Sequence, residues 1–109
     1  MTHSEKAKAN NPQNDINQIV EEAQKRMSEE FRWQDNAQRL RHCSAYVYET
    51  TNFYVLRSYN TIIACIDKRT KFCYDFLRMV YGYTSTSCKH ISKFWHDYGA
   101  VRVLRWYEV

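Results

Sequence analysis

Residues 45–77 of the chain read AYVYETTNFYVLRSYNTIIACIDKRTKFCYDFL, and this stretch decides the fold. It is rich in Tyr, Val, Ile and Thr with partial alternation, which is typical of half-buried β-strands. The pattern predicts strands over Ala45–Thr51, Phe53–Ser58, Thr61–Asp67 and Lys71–Leu77. The polar connections at residues 51–52 and 67–70 have the length that joins antiparallel neighbours. We therefore expect an antiparallel β-meander of about four strands.

A long amphipathic helix is predicted before this stretch. Its apolar residues recur every three or four positions, which places them in one stripe. They are Ile16, Ile19, Val20, Ala23, Met27 and Phe31. Asn14 or Asp15 is suited to cap its start. The pattern extends as far as Leu40 or His42 unless residues 33–36, which blur the stripe, divide it into two helices.

A second helix and a last strand are predicted after the meander. Hydroxyl side chains at residues 84–87 suit a helix start, and Gly99 suits a left-handed cap at its end. The apolar positions between them are Cys88, Ile91, Phe94, Trp95 and Tyr98. Residues 100–109 alternate as a strand does. The order predicts an α+β fold with a long N-terminal helix, an antiparallel β-meander of about four strands, a second helix and a C-terminal strand, both helices packing on one face.

Length and composition limit the chain to one domain. It has 109 residues, of which 44% are hydrophobic and 16% aromatic, and this mixture excludes collagen-like and fully disordered classes. We expect a flexible tail over residues 1–12 and a single α+β domain over residues 13–109. No apolar run approaches the ~20 residues of a membrane span, and the first residues do not resemble a signal peptide. We therefore expect a cytoplasmic protein without a membrane partner.

The positive charge is concentrated after the first helix. Residues 1–42 hold seven basic and seven acidic side chains, whereas the remainder holds nine basic and five acidic ones, and the net charge is +4. Dedicated nucleic-acid domains usually have a pI above ~9, and the pI here is 8.9. The charge therefore permits contact with phosphate without requiring it.

The cysteines do not predict a metal site. Cys43, Cys65, Cys73 and Cys88 contain no C-x-x-C pair and no histidine at zinc-finger spacing. Cys65 and Cys73 could be neighbours across a hairpin, where a disulfide is conceivable. Small buried thiols are the favoured interpretation, because the cytosol is reducing.

No combination of residues predicts catalysis. Cys88 and His90 are two positions apart, so on a helix their side chains point about 200° apart and cannot form a dyad. His90 and Asp97 share a helix face, which a solvated polar surface explains better than a metal site. Asp67 and Asp75 flank a hairpin without a phosphate-binding loop or a partner base. We expect a non-enzymatic protein with no catalytic residue, cofactor or metal.

Two patterns predict binding instead. The hydroxyl run at residues 83–87 could hold a phosphate at a helix start, although redundant helix capping is the favoured interpretation. Arginines and tyrosines are interleaved on the strands, as on surfaces that stack bases or contact proteins, and also as in ordinary strand packing. The candidate partner-binding residues are Arg57, Tyr59, Lys68, Arg69, Lys71, Lys89, His90 and Lys93.

Two short segments resemble a known group of proteins. They are residues 59–64 (YNTIIA), followed by a hairpin, and residues 83–94 (YTSTSCKHISKF), which contain T-S-x-x-H-I-x-x-F. The pattern resembles small uncharacterised proteins of phages and conjugative elements of Firmicutes, and it covers residues 53–98. Small proteins of such elements include anti-CRISPR proteins, so the resemblance implies a mobile-element inhibitor of a bacterial defence complex, most specifically an RNA-guided nuclease. Many anti-CRISPR proteins are acidic mimics of DNA, and this chain differs by being basic.

Two other functions remain open at this point. One is a small nucleic-acid-binding accessory protein of a phage or conjugative element, whose partner is RNA or DNA. The other is an oligomeric module in which the apolar stripe of the first helix packs against a second copy. The expected partner is thus a CRISPR effector nuclease or a nucleic acid, and the expected state is a monomer or a homodimer.

Overall fold

The first helix, α1, spans Pro12–Glu30 in the computed structural model, which describes residues 12–33, 36–79 and 85–106. Proline suits a helix start because the N–H that it lacks has no partner there. The helix thus begins before Asn14 and Asp15, which lie in its first turn and do not precede it as predicted. It ends at Glu30, so the extension towards Leu40 or His42 is wrong. The predicted tail lies outside the described residues except for Pro12.

Six strands of the described residues form one sheet, in the order β1 to β6. They are β1 (Ala37–Arg39), β2 (Ala45–Glu49), β3 (Phe53–Ser58), β4 (Thr61–Asp67), β5 (Phe72–Asp75) and β6 (Arg102–Arg105). Neighbours from β1 to β5 are antiparallel, and β5 and β6 are parallel. The α+β class is confirmed, and the predicted four-strand meander corresponds to β2–β5 within this larger mixed sheet. Strand β1 was not expected, because residues 37–39 fall where the helical pattern was extended.

The second helix, α2, spans Ser85–Asp97 and leads from β5 to β6. A 3₁₀ helix at Leu77–Met79 follows β5. Gly99 has a φ of +70°, the left-handed conformation expected at the C-terminal cap. Because this helical crossover carries the chain back across the sheet, β6 runs parallel to β5. The predicted final strand is confirmed over Arg102–Arg105, and residues 107–109 lie outside the description.

The helices pack on opposite faces of the sheet, so the prediction that they share one face is wrong. Val47 and Leu56 belong to a core cluster with Ile91 of α2, whereas Tyr48 and Val55 belong to a cluster with Val20 of α1. Successive strand residues point to opposite faces, and both sets here are apolar. Each face therefore needs its own cover, as in other sheets that are buried on both sides.

Neither helix covers a whole face. Helix α1 packs on β4, β5 and β6, and α2 packs on β3 and β4. A helix is about 10–12 Å across and strands are about 4.8 Å apart, so one helix covers only two or three strands. Parts of β1, β2 and β3 are consequently left open, and the two surfaces described below lie there.

The register of the β4–β5 hairpin excludes a disulfide between Cys65 and Cys73. Cys65 lies opposite Tyr74, and Cys73 lies opposite Ile66. This offset of one residue places Cys65 in the core under α1 and Cys73 in the core under α2. Both thiols are free and buried, and burial raises their pKa. The interpretation as buried thiols is confirmed for this pair.

Candidate binding surface

The predicted partner-binding residues do not form one surface. Strand β4 joins Tyr59 at one end to residues 68–71 at the other. At about 3.3 Å per residue, its seven residues separate these groups by roughly 20 Å. Lys89 and His90 belong to the Tyr59 end, because the rings of Tyr59 and His90 are 5.9 Å apart. Whether either group contacts a partner stays a prediction.

At the β4–β5 turn, the cations differ in their availability. Lys68 is engaged within the chain, since its Nζ lies 2.5 Å from Glu49 Oε2 and 2.8 Å from the Thr50 carbonyl oxygen. Arg69 and Lys71 are exposed. Asp67 stabilises the turn beneath them by accepting a hydrogen bond of 2.8 Å from the Arg69 backbone N–H. This turn therefore presents the Arg69 and Lys71 side chains to solvent.

At the opposite end, His90 joins α2 to the β3–β4 hairpin. Its Nδ1 is 2.7 Å from Ser58 Oγ, which in turn is 3.4 Å from Ser87 Oγ. The His90 side chain is 2% exposed, and burial, together with the neighbouring Lys93, lowers its pKa. The contacts described for the His90 side chain are therefore with other residues of the chain, and the side chain is not presented to solvent. Lys89 is exposed and Lys93 is half-buried.

The buried carboxylates also have internal partners. Asp75 accepts hydrogen bonds from the Leu77 backbone N–H at 2.9 Å and from Arg105 Nε at 3.2 Å, and burial raises its pKa. Asp67 Oδ2 lies 3.4 Å from Arg26 Nη1. These contacts attach β5 to β6 and α1 to β4. No group of three His, Cys, Asp or Glu residues in the described ranges could hold a metal ion.

An aromatic–arginine face lies on the α1 side of the sheet, beside the C-terminal end of that helix. We define it by Phe31, Trp33, Tyr46, Tyr48 and Arg57. Tyr46 and Tyr48 are two positions apart on β2 and so share a face, and Arg57 on β3 pairs with Tyr46. The Arg57 guanidinium carbon lies 4.6 Å from the Tyr46 ring centroid and 5.7 Å from that of Tyr48. Arg57 forms no ion pair within the described part of the chain.

The segment that follows α1 completes this face. The Glu30 carboxylate accepts hydrogen bonds from the Asn52 backbone N–H at 2.9 Å and the Thr50 hydroxyl at 2.8 Å, which holds the helix end against the β2–β3 turn. Phe31 then lies 5.0 Å from both Trp33 and Tyr48, with each ring pair edge-to-face. Exposure rises from 3% at Tyr48 to 57% at Trp33. The face therefore has a packed base and an accessible edge.

The chemistry of this face suits recognition. Trp, Tyr and Arg are the residues that most often dominate the energy of protein interfaces. A guanidinium stacked on rings keeps its charge without a carboxylate partner, and it can donate hydrogen bonds to an incoming acceptor. The aromatic–arginine face can thus offer a stacking surface beside a positive charge.

Sequence reasoning identified only Arg57 among the residues of this face. Trp33 was interpreted as part of an interruption of the helical stripe, and the tyrosines of β2 as ordinary strand residues. The available signals were the i,i+2 spacing of Tyr46 and Tyr48 and the apolar residues on both sides of Arg32. Tyr46 and Arg57 come together only through the register of β2 with β3, and the sequence does not reveal that register.

The described residues define a small α+β protein with a mixed sheet between a helix on each face. In the described part of the chain, neither α-helix is long and apolar enough to cross a membrane. The chain belongs to DUF8033, a family of unknown function whose model matches residues 15–108. No curated protein and no solved structure matches the chain.

Proposed function

We propose that the protein is a non-enzymatic binding protein of a mobile element, which inhibits a bacterial defence complex through the aromatic–arginine face. The most specific form of this proposal is an anti-CRISPR protein that acts on an RNA-guided nuclease. The resemblance of residues 59–64 and 83–94 to proteins of phages and conjugative elements supports the mobile-element origin.

The observation that carries the binding role is the combination of Trp33 and Arg57. Trp33 is 57% exposed although it is a large aromatic residue, and Arg57 is stacked on Tyr46 without a carboxylate partner among the described residues. Burial of an exposed tryptophan and pairing of a charged group that lacks a counter-ion both contribute favourable free energy to the binding of a partner. By contrast, the buried groups Asp75 and His90 are occupied by internal hydrogen bonds.

The charge of the chain narrows the mode of inhibition. A net charge of +4 opposes entry into the positively charged channel that holds the guide–target duplex in such nucleases. Guide RNA, target DNA or an acidic or apolar protein surface is compatible with that charge. We therefore propose contact with one of these, and not mimicry of DNA.

Cleavage protection tests this proposal directly. A panel of RNA-guided nucleases is assayed with the full chain, with Trp33→Ala and with Tyr59→Asn. Tyr59 is the matched control, because it is 56% exposed but its ring lies 5.9 Å from that of His90 in α2, the helix on the other side of the sheet from α1. Asn is chosen there since Tyr59 has a φ of +54°, which Asn tolerates.

The expected result is protection by the full chain and by Tyr59→Asn. Trp33→Ala should weaken the inhibitor about 30-fold, the effect of losing an interface residue that contributes about 2 kcal/mol. If Tyr59→Asn weakened the inhibitor and Trp33→Ala did not, the contact with the partner would lie at the Tyr59 end instead. Absence of both binding and protection across the panel would refute the inhibitor role.

A nucleic-acid accessory protein is the second candidate, favoured by the same stacking geometry. Single-stranded nucleic acids bind to exposed aromatic rings that have cations beside them. This function predicts an affinity for single-stranded RNA or DNA that falls steeply with salt, with a log–log slope of about −0.7 per phosphate contacted. Binding that is absent or independent of salt would exclude it.

A further inference from the structure

A cavity of about 570 Å³ opens on the α2 side of the sheet. Its volume is within the ~300–1,000 Å³ of small-molecule sites. The lining residues that matter for its chemistry are Asn36, Gln38, Glu49, Tyr54, Lys68 and Tyr98. The aromatic–arginine face lies on the other side of the sheet, so the two surfaces are separate.

The incomplete cover of the sheet creates this cavity. Helix α2 packs on β3 and β4 and ends at Asp97, so Tyr98 stands at the edge of the covered area. Gln38 on β1 pairs with Val47 on β2, and both line the space beyond the helix. The sheet therefore supplies the floor, and the end of α2 supplies a wall.

The wall is aromatic, and amide groups lie across from it on the β1 side. The rings of Tyr54 and Tyr98 are 5.0 Å apart and tilted by 52°, and both residues are half-buried. Asn36 directly precedes β1 and Gln38 is the middle residue of that strand, and both are exposed. An amide presents a donor and an acceptor in one plane, which is the pattern needed to pair with the edge of a nucleobase.

The charged lining residues neutralise each other. Lys68 Nζ is 2.5 Å from Glu49 Oε2 and 5.1 Å from the Tyr54 ring centroid. Among the described lining residues there is thus one cation in contact with one anion, and their formal charges sum to zero. Such a lining favours an uncharged ligand over an anion or a cation. Because Lys68 engages Glu49, the carboxylate is less available to sugar hydroxyls.

We propose that this cavity binds an uncharged nucleobase, with adenine preferred. The tyrosine pair contacts the face of the base, and the Gln38 amide pairs with its edge, as Asn and Gln do with adenine in other contexts. The base comes from a free nucleoside or from an unstacked nucleotide of RNA or DNA. This proposal does not depend on the aromatic–arginine face or on inhibition of a nuclease.

NMR titration of the ¹⁵N-labelled full chain tests the proposal. Adenosine, guanosine, cytidine and uridine are added separately, and glucose serves as the uncharged ligand without a base. Adenosine should shift the backbone amide signals of Gln38, Tyr54 and Tyr98 with the highest affinity. Gln38→Ala, a change in an exposed edge strand, should weaken adenosine about fivefold through the loss of its hydrogen bonds.

Trp33→Ala is the control, since it alters only the other surface and should leave the adenosine affinity unchanged. A short single-stranded oligoadenylate distinguishes the sources: tighter binding than adenosine at the same residues assigns the base to a nucleic acid, and equal or weaker binding assigns it to a free nucleoside. No shifts at millimolar adenosine, equal shifts with glucose, or an unchanged affinity in Gln38→Ala would overturn the proposal. Loss of nuclease inhibition in Trp33→Ala with retained adenosine binding would separate the two sites.

Discussion

The two halves of the sheet differ in the partners that their charged side chains have inside the chain. In the enclosed half, β4–β6, the buried carboxylates Asp67 and Asp75 have cationic partners inside the chain, and Phe76 is fully buried. In the open half, β1–β3, Arg57 is stacked on tyrosines and Trp33 remains accessible. Both halves contain fully buried apolar residues, such as Phe53 and Phe76, so the difference teaches that exposed aromatic and cationic surface available to a partner is concentrated in the half formed by β1–β3.

The width of the sheet explains this division. The sheet that the described residues form is six strands wide, roughly 24 Å between its outer strands, whereas a helix with its side chains is about 10–12 Å across. One helix on each face therefore leaves open area on both. Tyr, Trp and Arg suit that area because each combines apolar surface with a polar group that tolerates water.

The largest expected effect comes from Phe76→Ala in the enclosed half. Phe76 is 0% exposed in the core under α1, so the substitution should lower the free energy of unfolding by about 3–5 kcal/mol. Chemical denaturation followed by circular dichroism measures this loss. Val101→Ala is the control at a 72% exposed position and should change it by less than about 0.5 kcal/mol. A loss below about 1.5 kcal/mol for Phe76→Ala would contradict the conclusion that Phe76 is a tightly packed core residue.

Asp75→Ala should have an intermediate effect. It leaves the buried Leu77 N–H without its acceptor and removes one hydrogen-bond partner of Arg105, which together should cost about 1–3 kcal/mol. Asp75→Asn keeps an oxygen for Leu77 and avoids the burial of charge that raises the Asp75 pKa, so it should be clearly milder. The same denaturation experiment compares the variants. Equal losses would show that the charge, and not the Leu77 hydrogen bond, is what matters.

The pH dependence of stability should report on His90. Burial lowers its pKa in the folded state below the ordinary value of about 6.5, so the unfolded chain binds more protons as the pH falls through that value. The contribution is fully present above about pH 6.5 and is lost as the pH falls below it. Unfolding free energies measured from pH 7.5 to pH 5 should therefore decline, and His90→Gln should flatten the decline. An unchanged slope in the variant would contradict the prediction.

The smallest effect on stability is expected from Trp33→Ala in the open half. Trp33 contributes edge-to-face contacts with Phe31 and Tyr48, each worth about 0.5–1.5 kcal/mol when buried, but its ring is largely in water. We expect a loss of about 1 kcal/mol or less by denaturation. A loss as large as that of Phe76→Ala would show that the aromatic–arginine face is core and not binding surface.

The sequence allowed much of the fold to be predicted. Alternation located β2–β5 to within a few residues, and Gly99 marked the end of α2, because these signals are local. Strand β1 was not predicted, because Ala37–Arg39 has no alternation of apolar and polar residues and forms a strand by pairing with β2. The cavity was not predicted either, because Tyr98 and Gln38, which line it, are distant in sequence and meet only in the folded chain.

The amino-acid sequence by itself determined the strands β2–β5, the approximate positions of α2 and β6, and the basic charge after the first helix. Only the tertiary structure decided that the helices lie on opposite faces, that Cys65 and Cys73 are kept apart, and that Arg57 meets Tyr46 near Trp33. The reason is physical. Local periodicity determines which side chains share a face of one element, whereas strand register and the width that a helix covers determine which faces meet and which stay open.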